Sequence, residues 1–119
     1  MRRLVAISAL LLADALLCAA PSQAASFDCA KASAPDERAV CANPALSALD
    51  SEMGGLWFAY SRLPMLMGGS GDRQDEARAF LAARAKCGGN AACLTTLYTA
   101  RIAALKGQIA TYIKGMPPL

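Results

Sequence analysis

Four cysteines, Cys29, Cys41, Cys87 and Cys93, limit what this chain can become more than any other feature. A fifth, Cys18, lies in a different kind of segment. Met1-Arg2-Arg3 gives a short positive start, and Leu4 to Ala20 is an apolar run broken only by Ser8 and Asp14. Pro21 closes it, and Ser22-Gln23-Ala24 places small residues at −3 and −1 of a cut after Ala24. This is the pattern of a secretory signal peptide over residues 1–24, leaving residues 25–119 as one domain. A membrane anchor needs about 20 uninterrupted apolar residues, and Asp14 breaks the run. Acylation at Cys18 is disfavoured by the bulky Leu17 before it.

With the leader gone, an even number of cysteines remains in a small exported domain, which reads as two disulfides. Of the three possible connectivities, spacing favours the local pairs Cys29–Cys41 and Cys87–Cys93. No Cys-x-x-Cys is present, so metal and redox roles for these cysteines are disfavoured. The chain contains no histidine. Ser-His and Cys-His nucleophile pairs and His-based metal sites are therefore excluded within it. No cofactor is expected.

The high apolar content, 55%, is concentrated in the leader, and the remainder is ordinary for a globular domain. Losing Arg2, Arg3 and Asp14 lowers the net charge from +3 to +2, too mild and too mixed in sign to argue for nucleic acid. No stable membrane insertion is expected after the leader is removed.

The remainder reads as helices. Ser33 is the expected cap of a short helix that carries Pro35 and the acidic pair Asp36-Glu37 in its first turn. Asn43 caps the next, whose stripe is Leu46, Leu49, Met53, Leu56, Trp57, Tyr60 and Leu63, with Gly54-Gly55 inside it. Asp50 and Glu52 are placed on its solvent side. After a connector containing Met65, Leu66, Met67 and several glycines, Asp72 is the expected cap of a third helix. Ala77, Phe80, Leu81 and Arg84 form one side of that helix. Asn90 caps the last helix, with the stripe Leu94, Leu97, Tyr98, Ile102, Leu105, Ile109, Tyr112 and Ile113. The expected fold is all-α: a small disulfide-stapled helical bundle of three main helices plus one short N-terminal helix. Disulfides offset part of what so small a core lacks.

The carboxylate groups Asp36-Glu37 and Asp72/Asp75/Glu76 fall in first turns, where the helix dipole accounts for them, and an enzyme is not expected. Arg84 and Arg101 lie beside apolar stripes and are expected to pair with carboxylates across helices. Two surfaces are candidates for a partner: the apolar connector at Met65, Leu66 and Met67, and the acidic group Asp72, Asp75 and Glu76.

Three segments together resemble the LprI-type lysozyme inhibitor family of exported bacterial domains. The first is Phe27-Asp28-Cys29-Ala30-Lys31-Ala32, continuing through Pro35, Glu37-Arg38-Ala39-Val40-Cys41-Ala42, Pro44, Leu46 and Ala48-Leu49-Asp50. The second is Leu81-x-x-Arg84-x-x-Cys87. The third is Cys93-Leu94-x-x-Leu97-Tyr98-x-x-Arg101-Ile102-x-x-Leu105. The family's usual tryptophan and glutamine stand here as Phe80 and Ala77. The resemblance implies a periplasmic or cell-surface helical domain with a protein partner, lysozyme being the first candidate. It also implies structural roles for the four cysteines, Arg84, Tyr98 and Arg101. The competing expectation is an envelope module that binds another periplasmic protein or peptidoglycan.

Overall fold

The computed structural model describes residues 25–65 and 68–117. The leader at 1–24, with Cys18, and the connector residues Leu66 and Met67 lie outside them. Among the described residues four helices follow one another: α1 Pro35–Ala42, α2 Pro44–Ser61, α3 Gly69–Cys87 and α4 Ala91–Lys114. A single 3₁₀ turn, Cys29–Lys31, precedes them, and no strand occurs among the described residues.

Caps explain most of the boundaries. The Asn43 carboxamide accepts from the Ala45 and Leu46 amides and opens α2, with Pro44 at its first position. The Asn90 side chain accepts from Cys93 N and opens α4. Two expected caps are corrected. Ser33 does not cap α1, which starts after Ala34; instead Glu37 reaches back and accepts from the Ser33 and Ala34 amides. Asp72 does not cap α3 either. That helix starts earlier, at Gly69, so Asp72 lies inside its first turn, where the dipole still favours it.

The end of α2 is closed by a residue from the next helix. Arg73, buried on α3, donates to the carbonyls of Tyr60 and Leu63, with its guanidinium over the Tyr60 ring. The Tyr60 carbonyl belongs to the last turn of α2, at the negative end of its dipole.

The core forms around Val40, Leu46, Phe80, Leu94 and Tyr98, with Phe80 and Tyr98 edge to face at 5.2 Å between ring centres. Further along, α2 and α4 pack through Tyr60, Ile102 and Leu105. In the α4 stripe Leu94, Tyr98, Ile102 and Leu105 are buried and Leu97 is half-buried, and the stripe then comes out: Ile109 and Tyr112 are half-buried and Ile113 is exposed. Leu81, placed by spacing beside Phe80, is half exposed, because Phe80 alone points into the core. Trp57 is half-buried.

Both local disulfides are present, Cys29–Cys41 and Cys87–Cys93, with Cα atoms 5.8 and 5.6 Å apart. The first ties the N-terminal segment onto α1. The second staples the α3–α4 hairpin, whose turn passes through Gly88 at φ +54°, a backbone region that favours glycine. Two structural disulfides point to an oxidising, extracytoplasmic setting.

Candidate functional site

The acidic first turn of α1 does more than complement a dipole. Asp36 is buried, and its carboxylate accepts from Arg84 Nε at 2.7 Å. Glu37 Oε1 lies 4.0 Å from the same guanidinium. Hydrogen bonds from the Ser33 amide, then from Ala34, hold the Glu37 carboxyl below its ordinary range. Burial opposes these bonds without overcoming them, and the Arg84 charge adds a smaller lowering.

The largest correction falls on Asp50. It does not face solvent on α2; it is fully buried. Its Oδ1 accepts from the Tyr98 hydroxyl at 2.7 Å, and its Oδ2 accepts from Ser26 N and Ser26 Oγ, both at 2.6 Å. Arg84 Nη1 donates to the Tyr98 oxygen at 3.5 Å and lies 3.9 Å from Asp50. Asp50 thus only accepts, the role of a carboxylate. Burial opposes the charge of Arg84, but its contacts with Tyr98 and Asp36 outweigh that and raise its pKa. Burial, reinforced by the hydrogen bond to Asp50, pushes the Tyr98 hydroxyl pKa upward.

One cluster therefore takes Asp36 from α1, Asp50 from α2, Arg84 from α3 and Tyr98 from α4, together with Ser26 from the N-terminal segment. The Phe27 ring lies 5.4 Å from the Arg84 guanidinium carbon. A cleft of about 400 Å³ opens beside it, lined by Ser26, Phe27, Lys31, Glu37, Met53 and Leu81 among others. Each of the four helical side chains in the cluster is held by another, so the network fixes helix against helix.

A second polar group joins α3 to α4. Glu76 accepts from Arg101 Nη1 at 3.1 Å and from Gln108 Nε2 at 3.0 and 3.1 Å. Gln108, then Arg101, lowers the Glu76 pKa against the opposing effect of burial. Arg101 Nη2 and Gln108 Oε1 are buried without a hydrogen-bond partner. Gln108 also lines a shallow groove of about 590 Å³ with Tyr60, Met65, Gly107, Thr111 and Tyr112.

The structure divides the two candidate partner surfaces. Met65 is exposed at the mouth of that groove. Asp72 and Asp75 face solvent, Asp75 paired with Arg78, whereas Glu76 turns away from them toward α4. Arg84, Tyr98 and Arg101 all sit in the two internal networks. Asp36, Asp50, Ser26, Glu76 and Gln108 are the residues that sequence reasoning did not assign to them, and Arg73 at the end of α2 was not foreseen either. Spacing offered a signal for one: Asp50 lies four residues after Leu46 and three before Met53, on the apolar stripe itself. No group of three or more potential ligands suited to a metal ion occurs among the described residues. No helix among them is long and apolar enough to cross a membrane. Comparison with protein families, with curated proteins and with solved structures gives no match to this chain.

Proposed function

We propose that this chain is exported, cut after Ala24, and acts in the bacterial envelope as a binding protein of the lysozyme-inhibitor type it resembles. The observation that carries this reading is the internal commitment of its charges. Asp36, Asp50, Arg84 and Tyr98 hold one another, as do Glu76 and Arg101. What is left to act is surface on a rigid, doubly stapled frame, and a rigid frame loses little entropy on association.

Asp72 and Asp75 at the start of α3, beside Met65, offer an anionic edge with an apolar neighbour. Common lysozymes are strongly basic, and opposite charge raises the association rate and selects the partner. The exported protein, purified and added at micromolar concentration to a lysozyme cell-wall lysis assay, is expected to slow lysis. The charge reversals Asp72→Lys and Asp75→Lys are expected to weaken inhibition and its salt dependence. Undiminished lysis removes lysozyme as the partner. Capture of an envelope protein or peptidoglycan in its place would favour an envelope module.

A further inference from the structure

The cluster around Asp50 has unequal charges. Asp36 and Asp50 are 3% and 0% exposed, and among the described residues the cation that reaches both is the largely buried guanidinium of Arg84. A carboxylate buried without a compensating cation is strongly unfavourable, because it has given up its water and gained no opposite charge. Every element packed against Asp50 contributes to the count. Glu37 from α1 adds negative charge at the edge, and Tyr98 from α4 is neutral. Lys31 is solvent-exposed, with its ammonium 3.9 Å from Asp28. Among the described residues, the cluster is one positive charge short.

The residues just after the expected cut are seated at this carboxylate. Ser26 gives Asp50 Oδ2 both its amide and its hydroxyl, at 2.6 Å each. Ala25 and Phe27 pack against the core. Gly54 makes room for them: a Cβ there would stand 2.7 Å from Ser26 Cβ, closer than atoms can approach. The nitrogen of Ala25 is one residue from the Ser26 amide that already reaches Asp50, and successive Cα atoms are about 3.8 Å apart.

We propose that Asp50, with Gly54 as the floor, is a binding site for the mature N-terminal ammonium of Ala25, which supplies the cation that the buried cluster lacks. The inference rests on the export reading above. Hydrolysis of the Ala24–Ala25 peptide bond by a leader peptidase consumes one water. The hydroxyl goes to the Ala24 carbonyl carbon and a proton to the Ala25 nitrogen. Transfer of the acid proton then leaves a carboxylate on the departing leader and an ammonium on Ala25. Before the cut that nitrogen is a neutral amide. Processing therefore changes the charge of the cluster by one unit and completes the fold around it.

The test starts from the full chain, exported with its own leader and purified from the exported fraction. Intact mass is expected to place the first residue at Ala25; a start elsewhere overturns the proposal at the cleavage step. On the processed protein, competitive acylation of the α-amine across pH 6–10 is expected to show a midpoint at least one unit above the ordinary value of about 8. Asp50→Asn is expected to return it to the ordinary value. Because that variant removes a buried charge and can fail to fold, a second keeps Asp50: Gly-Ser inserted between Ala24 and Ala25. At pH 7 its amine is expected to react about tenfold faster than the native one, one pKa unit being tenfold. Its urea midpoint is expected to lie below that of the native protein at pH 7 and to converge with it above pH 10, where both amines are neutral. An ordinary α-amine midpoint in protein that begins at Ala25 overturns the seat while leaving the cleavage site standing. Equal reactivity and equal stability with and without the insertion do the same.

Discussion

The hydroxyl of Tyr98 on α4 donates to the carboxylate of Asp50 on α2 at 2.7 Å, and both residues are fully buried. The two are 48 positions apart in sequence. Because Asp50 also holds Ser26, and Tyr98 also receives Arg84, this one bond stands at the centre of the fold. Asp50→Ala is expected to lower stability by about 3–5 kcal/mol, since it leaves three donors unpaired, the Tyr98 hydroxyl and the Ser26 amide and hydroxyl. Tyr98→Phe, which removes one hydroxyl and keeps the ring against Phe80, is expected to cost about 1–3 kcal/mol. Urea unfolding followed by circular dichroism measures both, and an Asp50→Ala cost below that of Tyr98→Phe would contradict this arrangement.

Alkaline unfolding tests the burial of Tyr98. Its pKa is raised, first by burial and then by the hydrogen bond to Asp50, so the folded state keeps the proton after the unfolded state has released it. Its contribution is therefore fully present below pH 10 and declines as pH rises beyond it. Tyr98→Phe is expected to flatten the fall of stability with pH above 10. Tyr60, raised by burial and then by the Glu76 charge, keeps part of the slope. Tyrosinate absorbance recorded with circular dichroism along the titration reads both effects.

Glu76 acts at the opposite end of the pH scale. Its pKa lies below the ordinary 4.5, chiefly through Gln108 and then Arg101. The stability it adds is present above pH 4.5 and is lost as pH falls through the folded value. Gln108→Ala and Glu76→Gln are each expected to reduce the loss of thermal stability below pH 4.5. Because Glu76 is partly exposed, the change is expected to be modest and to shrink with added salt.

The adjacent glycines of α2 are expected to respond differently to the same substitution. Nothing lies within 4 Å of a Cβ at Gly55, whereas one at Gly54 would meet Ser26 Cβ at 2.7 Å. Gly55→Ala is expected to raise stability by about 1 kcal/mol through helix propensity alone. Gly54→Ala is expected to lose that gain by displacing residues 25–27. Paired thermal melts decide, and equal stabilisation by both would mean that the N-terminal segment does not dock there.

The helices and the staples were legible from sequence because their causes are local. Asn43 and Asn90 cap with their own side chains, Gly88 turns the chain in place, and both disulfides close short loops. Arg84 and Arg101 were legible as cross-helix partners because a cation beside an apolar stripe has few other solutions. The burial of Asp36, Asp50 and Arg73 was not, because a charge goes inside only when its counterpart arrives from another element. Asp50 needs Tyr98 and Ser26, and Arg73 needs the carbonyl end of α2. The early start of α3 at Gly69 is a similar case. Two of its first three residues are glycines, poor helix formers individually, and Asp72 is a better cap by itself.

The bonds Ser26–Asp50, Asp36–Arg84 and Asp50–Tyr98 span 24, 48 and 48 positions. Together they reach from the first described residues to the middle of the last helix. A chain halted before Tyr98 has made Asp50 without the hydroxyl from which its Oδ1 accepts. A nascent or truncated form therefore lacks the contact that ties α4 into the cluster, and the long loops that these bonds close carry an entropy cost that is fully offset only with α4 in place.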